Sequence, residues 1–249
     1  MRAGLVVITG GAKRIGASIA EKCALEGHSV LITTRMATEG SASFLRNLTE
    51  KYGVKAAAVI GDVSDEDEVQ RIAKVICEHE LTKEHGGIMG LVHNASVFES
   101  VDFADSQAAL AALKAHMSLH VTAPYLLTQG LLEPLKSSQG SIVGLTDTSH
   151  GKYWKGQEHY TATKAGLRQL IINLAGSLGE SHGIRCNCVS PGYILKAEAV
   201  DEDYNALLKR IPLGRMGAPE EIANAVYFML SSQYITGQVL AVDGGLSIS

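Results

Sequence analysis

Tyr160 and Lys164 have the residue types and the spacing of a proton-transfer pair. They lie four residues apart in a stretch with helical periodicity, so their side chains share one face of the predicted helix. A phenol has a pKa near ~10 and is a poor proton donor near neutrality, whereas an adjacent ammonium favours the phenolate and lowers that pKa. The spacing alone is common by chance, but the chemistry predicts that Lys164 tunes Tyr160 as an acid/base group.

A third candidate, Asp147, follows a predicted strand and precedes Tyr160 by thirteen residues. An ionised carboxylate accepts hydrogen bonds but donates none, and it repels the oxyanion that forms when a ketone is reduced. It can accept from amino groups, from ring N–H groups and from the hydroxyl of Tyr160. Asp147 therefore disfavours a ketone as substrate.

A glycine-rich turn from Thr9 to Gly16 follows the first predicted strand and leads directly into a helix. Glycines let the backbone approach a pyrophosphate, and the free N–H groups at the start of the helix attract its negative charge. A tight strand-to-helix turn without a ligand is the alternative interpretation. The strand context and the later motifs favour a dinucleotide.

The end of the second predicted strand indicates which dinucleotide is bound. A ribose with a free 2′-hydroxyl usually meets an acidic residue there, but this sequence has Thr33, Thr34, Arg35 and Met36. A guanidinium and hydroxyls suit a 2′-phosphate, and Lys13 and Arg14 add positive charge nearby. NADPH is therefore expected in preference to NADH, the alternative being that Arg35 is a solvated charge.

These groups must be positioned by alternating strands and helices. Near-continuous apolar segments predict seven strands buried on both faces: Leu5 to Thr9, Ser29 to Thr34, Lys55 to Ile60, Ile88 to His93, Ser141 to Thr146, Ile184 to Val189 and Gln238 to Val242. Helices are predicted between them: Ile15 to Glu26, Ser41 to Tyr52, Asp65 to Glu80, Ala108 to His116 continuing toward Leu135, Glu158 to Gly179, and Pro219 to Leu230. The pattern predicts an α/β fold, a doubly wound Rossmann-like domain with a seven-stranded parallel sheet and helices on both faces.

The composition fits one large domain with a small partner. The chain has 249 residues, of which 46% are hydrophobic and 19% charged, so it is neither disordered nor collagen-like. Its 22 basic and 26 acidic residues give a net charge of −4, which argues against a nucleic acid or an anionic membrane as partner. No apolar segment is long enough for a signal peptide or a membrane span. The four cysteines are irregularly spaced, which favours reduced thiols and a cytoplasmic location.

Over nearly its full length the sequence resembles the short-chain dehydrogenase/reductase family. The matching motifs are Thr9-Gly10 to Gly16, Asp62-Val63, Asn94-Ala95, Tyr160-x-x-x-Lys164, Ser190-Pro191-Gly192, and Ile235-Thr236-Gly237 to Asp243-Gly244-Gly245. The resemblance implies an NAD(P)-dependent oxidoreductase, commonly a homotetramer, in which Tyr160 is the catalytic acid/base and Lys164 its helper. It also implies a single domain over residues 1–249.

Three positions depart from the usual pattern of that family. Arg14 replaces a glycine, Asp147 replaces the catalytic serine and His120 replaces a helix asparagine. Arg14 and Asp147 resemble the pteridine reductase branch, and the segments around Ser96 and Leu119 are similar to those of bacterial dihydromonapterin reductases. The branch implies NADPH-dependent reduction of a dihydropterin, with Phe98 stacked on the ring. A 3-oxoacyl carrier-protein reductase or another ketone reductase is the alternative, and a non-catalytic cofactor-binding regulator is a third.

The motifs and the resemblance together assign three sets of residues. The catalytic set is Asp147, Tyr160 and Lys164, and no metal is expected. The substrate set is Arg14, Ser96, Phe98, Asp147 and Tyr160. The cofactor set is Gly10, Lys13, Arg14, Ile15, Thr34, Arg35, Asp62, Val63, Asn94, Ala95, Ser96, Tyr160, Lys164, Pro191 and Gly192.

Two further features complete the sequence-based expectations. The segment from Tyr193 to Gly217 is acidic at first and then glycine-rich, which suggests a substrate lid. His116 and His120 have the i, i+4 spacing of a zinc pair, but a third ligand is not evident. His120 is therefore expected to take a structural or proton-relay role, and Phe98 has the alternative role of covering the edge of the core.

Overall fold

The computed structural model describes residues 3–148, 153–194 and 204–249. Its strands, in chain order, are β1 (Leu5–Thr9), β2 (Ser29–Thr34), β3 (Ala56–Ile60), β4 (Gly90–His93), β5 (Ser141–Leu145), β6 (Arg185–Pro191) and β7 (Val239–Val242). They form one parallel sheet in the order β3-β2-β1-β4-β5-β6-β7. The predicted fold is confirmed, with strand bounds that differ by two residues or fewer.

Helices cover both faces of this sheet. They are α1 (Arg14–Leu25), α2 (Glu39–Tyr52), α3 (Glu66–Glu78), α4 (Glu80–His85), α5 (Ser106–Met117), α6 (Ala123–Gly130), α7 (Leu132–Ser137), α8 (Glu158–His182), α9 (Tyr204–Lys209) and α10 (Pro219–Ser231). One apolar cluster packs α3, α6 and α8 against the sheet, and a second packs α1 and α10 against the opposite face. Because β1 lies between β2 and β4, the strand order reverses there, and such a reversal opens a ligand crevice at the carboxyl ends of the strands.

The helix predicted from Ala108 toward Leu135 is interrupted. A π-helical turn, Ser118–Thr122, separates α5 from α6, and α7 begins after Leu131. Turns of this kind are frequent at functional sites because they re-aim one side chain within a helix. Here the turn carries His120.

The predicted lid, Tyr193 to Gly217, lies partly outside the described residues, since 195–203 are not described. Its two ends meet, because the Gly217 N–H donates to the Tyr193 carbonyl at 2.9 Å. Helix α9 lies between them. The two ends of the segment are therefore joined to each other by a main-chain hydrogen bond.

The cysteines are free thiols, and Cys186 and Cys188 are buried in β6. Burial raises the pKa of each of these two thiols to about 12, so they remain protonated core residues, as predicted. None of the helices in the described ranges is both long enough and apolar enough to cross a membrane.

Candidate active site

The structure brings the predicted catalytic groups together at the carboxyl end of β5. Tyr160, in the first turn of α8, is 7% exposed, and Asp147 is half-buried just after β5. The Tyr160 hydroxyl donates a hydrogen bond to Asp147 Oδ2 at 2.9 Å. The phenol proton of Tyr160 therefore lies between the phenol oxygen and the Asp147 carboxylate, at the edge of a pocket.

The environment of Tyr160 favours the neutral phenol. Burial raises its pKa well above the usual value, and the negative charge of Asp147 and the hydrogen bond to it act in the same direction. The sequence-based expectation that Lys164 lowers this pKa is therefore wrong. A buried phenol beside a carboxylate keeps its proton, so Tyr160 enters the reaction as the neutral phenol.

Lys164 serves the site from one turn further along α8. It is 3% exposed, its Nζ donates to the Leu145 carbonyl at 2.8 Å, and it lies 5.7 Å from the centre of the Tyr160 ring. Burial lowers the pKa of Lys164 to about 8, an effect that the negative charge of Asp147 opposes. The ammonium is thus fixed at the end of β5 and can lose its proton within the ordinary pH range.

His120 is a neutral bridge behind this centre. One ring nitrogen lies 2.9 Å from the Ser96 hydroxyl and the other 2.9 Å from Thr163 Oγ1. The Thr163 hydroxyl donates its hydrogen to main-chain carbonyls of α8, so its oxygen must accept a hydrogen bond from His120 Nδ1–H. The other ring nitrogen, Nε2, then carries no hydrogen and accepts from the Ser96 hydroxyl. Burial, followed by the nearby charges of Lys164 and of His116 and His159, strongly lowers the pKa of His120. This supports the predicted structural role of His120.

Phe98 begins an aromatic wall beside the phenol. Its ring meets the Tyr160 ring edge to face, with centroids 4.9 Å apart, and lies 5.2 Å from Trp154. Trp154 in turn packs against Tyr193 at 5.9 Å. Such a surface can hold a flat ring by stacking while the polar pair addresses its edge.

A small pocket, open to solvent, is lined in part by Asp147. The residues that line it are Asp147, Thr148, Tyr153, Trp154, Gly192, Tyr193, Arg210 and Leu246. Four of these residues, Thr148, Tyr153, Trp154 and Leu246, were not predicted from the sequence, and Tyr193 and Arg210 were predicted only as part of the lid. The single tryptophan of the chain, six residues before Tyr160, is a signal that could have been used.

The glycine-rich turn has the geometry of a phosphate cradle. Gly10 has a φ of +64°, and a Cβ on Gly16 would lie 2.3 Å from the Gly10 carbonyl oxygen, so neither position accommodates a side chain easily. At the start of α1, Lys13 gives no side-chain cap, and the first turn holds no acidic residue. Its N–H groups therefore suit an anion, with Ile15 in the same turn. These features fit the pyrophosphate of a dinucleotide.

Arg14 occupies a conformation that favours glycine. Its φ is +53°, in the left-handed region, where a non-glycine residue is strained by roughly 1–2 kcal/mol. The side chain is exposed, and it makes no hydrogen bond or ion pair within the described part of the chain. The guanidinium is therefore accessible to an anionic ligand.

The residues after β4 brace the turn. The Asn94 side-chain amide donates to the carbonyls of Thr9 and Gly10 at 2.9 and 3.1 Å, and the main-chain N–H groups of Asn94 and Ala95 both donate to Thr9 Oγ1 at 3.0 Å. The observed contacts of Asn94 are therefore with the backbone of the cradle. This holds β1 and β4 together at the strand-order reversal.

The remaining predicted cofactor residues lie at the ends of neighbouring strands. Thr34 ends β2, and the exposed Arg35 that follows it makes no ion pair with another described residue. Asp62 Oδ1 accepts from the N–H and hydroxyl of Ser64, which fixes the turn after β3 beside the buried Val63. After β6, the Pro191 carbonyl accepts from Thr148, and the Gly192 N–H donates to the Val242 carbonyl at 3.1 Å.

The histidine cluster does not form a metal site. His116 and His120 have ring centroids 5.2 Å apart, and His159 lies 4.4 Å from His116. Within the described ranges, no group of three or more His, Cys, Asp or Glu side chains is arranged to hold a metal ion.

With the fold and these motifs in place, comparison with known proteins defines the class. The family model described as Enoyl-(Acyl carrier protein) reductase matches residues 10–247, and the chain belongs to the short-chain dehydrogenase/reductase family. It is an NAD(P)-dependent oxidoreductase of that family.

Two curated relatives illustrate the range of substrates within this class. An L-rhamnose 1-dehydrogenase (NAD(P)(+)) of Azotobacter vinelandii is 33% identical over 256 residues, which cover 98% of this chain and 96% of that protein. A 3-oxoacyl-(acyl-carrier-protein) reductase of Chlamydia muridarum is 34% identical over 249 residues, covering 97% and 96%. These relatives support the family but not the narrower resemblance to pteridine reductases.

Solved structures agree with the fold. The Pseudomonas aeruginosa RhlG/NADP active-site complex is 28% identical with a TM-score of 0.86, covering 99% of this chain and 97% of that one. A Serratia marcescens short-chain dehydrogenase/reductase, solved as a double mutant, is 26% identical with a TM-score of 0.86, and 98% of each chain is covered.

Proposed function

We propose that the protein is an NADPH-dependent reductase of a flat nitrogen heterocycle, a dihydropterin such as dihydromonapterin, dihydrobiopterin or dihydrofolate, which it converts to the tetrahydro form. The observation that carries this proposal is the 2.9 Å hydrogen bond from the Tyr160 hydroxyl to Asp147 at the edge of the aromatic pocket. The other family relationships leave the substrate open.

The chemistry of Asp147 selects between substrate types. A carboxylate beside the reacting bond repels the oxyanion of a ketone reduction and cannot donate to a carbonyl. The amino and ring N–H groups of a pterin are donors that it can accept. Phe98 and Trp154 offer faces for the flat ring.

Proton delivery follows from the same pair. NADPH, when bound, supplies the hydride that adds to the carbon of the C=N bond. The nitrogen takes a proton from the Tyr160–Asp147 pair or from a water that the pair holds, and the raised pKa of Tyr160 keeps that proton in place until it is needed. Lys164, anchored to the Leu145 carbonyl, holds positive charge beside the pair.

The cofactor proposal rests on the cradle and on the end of β2. Gly10, Lys13, Arg14 and Ile15 would hold the pyrophosphate, since the start of α1 lacks a capping side chain. Arg35, exposed and without an ion pair to another described residue, would bind the 2′-phosphate.

A 3-oxoacyl-(acyl-carrier-protein) reductase is the second candidate, because one of the curated relatives described above carries that name. Asp147 in place of the usual hydroxyl is the feature that argues against it. We further propose a single domain over residues 1–249 with a lid at 193–217, a homotetramer and a cytoplasmic location.

Oxidation of NADPH in the presence of dihydropterins and of acetoacetyl thioesters separates the candidates. The proposal expects turnover of a dihydropterin and little turnover of the thioester. Efficient thioester turnover without pterin turnover would establish the second candidate instead. Tight NADPH binding with no turnover of either would favour a non-catalytic regulator.

A further inference from the structure

The pocket beside Asp147 carries a second charge that the proposed chemistry does not use. Arg210 lines it together with Asp147, and every other described residue that lines it is uncharged. No ion pair joins Arg210 to Asp147 or to any other described residue. The pocket is therefore polarised, with an anionic group at the reacting pair and a permanent cation elsewhere on its wall.

The backbone that carries Arg210 is held in place. Its carbonyl accepts a hydrogen bond from the Ser249 hydroxyl at 2.8 Å, and the next residue, Ile211, is 3% exposed. The Leu213 N–H donates to the Gly244 carbonyl at 3.1 Å, which fastens the same stretch to the turn after β7. The backbone of Arg210 is therefore held beside the pocket.

Aromatic side chains form part of the wall of this pocket. Trp154 and Tyr193, whose rings meet edge to face, line this pocket, and Phe98 and Tyr160 continue the aromatic surface toward the reacting pair. A flat ring placed at Asp147 would thus have an aromatic surface beside it. The guanidinium of Arg210, a residue that lines the same pocket, matches a carboxylate or a phosphate, which it can bind in a bidentate manner.

We propose that Arg210 is a specificity-determining residue that binds an anionic tail of the substrate, so that the enzyme prefers a dihydropterin with a carboxylate-bearing tail over one with an uncharged side chain. This inference rests on the proposed function and names the substrate class within it. Asp147 addresses the ring edge, and Arg210 addresses the tail.

The test compares two dihydropterins that share a ring and differ in the charge of the tail: dihydrofolate, which has a glutamate tail, and dihydrobiopterin, which does not. For Arg210→Gln we expect kcat/KM for dihydrofolate to fall roughly fivefold, the upper end for an exposed ion pair, mainly through KM. The value for dihydrobiopterin should change less than about twofold. Arg210→Lys should retain part of the preference.

Two controls separate a specific contact from general electrostatics. Lys209→Gln removes the same charge from the adjacent exposed position, which is outside the pocket lining, and should leave the preference unchanged. Raising the salt concentration should reduce the wild-type preference toward that of Arg210→Gln, because an exposed pair is screened. If Arg210 had only a structural role, Arg210→Gln would lower kcat/KM for both substrates together, and the wild-type preference would not depend on salt in this way.

Equal losses for both substrates in Arg210→Gln, or an unchanged preference, would overturn the inference. Failure of the proposed function gives a different result, since the wild type would then reduce neither dihydropterin. In that case acetoacetyl-coenzyme A, which bears phosphates, and acetoacetyl-N-acetylcysteamine, which bears none, replace the two substrates. A preference for the charged thioester that Arg210→Gln removes supports Arg210 as an anion-binding residue, and its absence rejects that role.

Discussion

The cofactor half and the substrate half of the site are built in different ways. In the cofactor half, the backbone of a glycine-rich turn forms the cradle: Gly10 and Gly16 keep the turn close to α1, and hydrogen bonds from Asn94 to Thr9 and Gly10 join β4 to β1. In the substrate half, side chains from distant parts of the sequence meet, namely Phe98, Asp147, Trp154, Tyr160, Tyr193 and Arg210. A backbone cradle suits a ligand common to the whole family, whereas a surface of side chains can be changed to suit a new substrate.

This contrast predicts that substitutions in one half leave the function of the other largely intact. The largest effect is expected at Tyr160. Replacing it by phenylalanine removes the proton donor, and kcat should fall by about 10³-fold, within the usual range for a general acid. Dissociation constants for NADPH, measured by fluorescence titration, should change only a few-fold because the hydroxyl faces Asp147. A variant that retains most of its kcat would remove Tyr160 from the chemistry.

Asp147→Ser is expected to have the next largest effect, and it acts on substrate choice. Loss of a charge-assisted acceptor should lower kcat/KM for a dihydropterin by about 10- to 100-fold, while turnover of an acetoacetyl thioester rises because the hydroxyl can donate to an oxyanion. Asp147→Asn is the matched control, since it removes the charge but keeps the shape. Unchanged pterin kinetics in both variants would contradict the role of Asp147.

The pH dependence of the free enzyme should report Lys164. Its pKa is lowered to about 8, so the ammonium is present below that value and is lost as the pH rises through it. We expect kcat/KM to fall by roughly tenfold per pH unit above this point, as for loss of one essential proton. Lys164→Arg keeps the charge and should abolish the falling limb. Persistence of that limb in the arginine variant would assign it to another group.

In the cofactor half, Arg35→Ala should reduce the preference for NADPH over NADH by about tenfold, because a guanidinium bound to phosphate forms charge-assisted hydrogen bonds. Arg46→Ala, which removes an exposed arginine paired with Glu39 on α2, is the control and should change nothing. The ratio of kcat/KM values for the two cofactors measures the effect. A wild-type enzyme with equal efficiency for both would already refute the assignment.

Arg14→Gly should produce the smallest effect. We expect it to stabilise the fold and to weaken ligand binding. Relief of the left-handed strain should stabilise the fold by about 1 kcal/mol, which corresponds to about 2–4 °C in a domain of this size. At the same time KM for NADPH or for the pterin should rise a few-fold. A drop in the melting temperature measured by calorimetry would show that Arg14 is needed for the fold itself.

Most of the fold could be predicted because buried parallel strands are short apolar segments bounded by glycine and polar residues. The end of α3 near Glu78 agrees with the predicted helix end at Glu80, and the short helix α4 that follows was not predicted. The π-helical turn, which places His120 between Ser96 and Thr163, could not be predicted because it depends on tertiary contacts that no local pattern contains.

The site shows the same division. The groups that follow strands directly, such as Asp62, Asn94 and Asp147, could be placed from sequence order alone, because parallel strands end at one edge of a sheet. Trp154, Arg210 and Leu246 lie in connecting segments or near the chain end, and their convergence on one pocket required the structure. The shift in the pKa of Tyr160 also could not be predicted from the sequence, because its direction depends on burial and on the distance to Asp147.

The central claim is that Asp147 accepts hydrogen bonds from the nitrogen atoms of the reacting ring. The most direct measurement is a crystal structure of the complex with NADP⁺ and a dihydropterin. We expect an Asp147 carboxylate oxygen at ~3 Å from a ring or amino nitrogen, with the ring lying against Phe98. A carboxylate turned away from the bound ring would contradict the account.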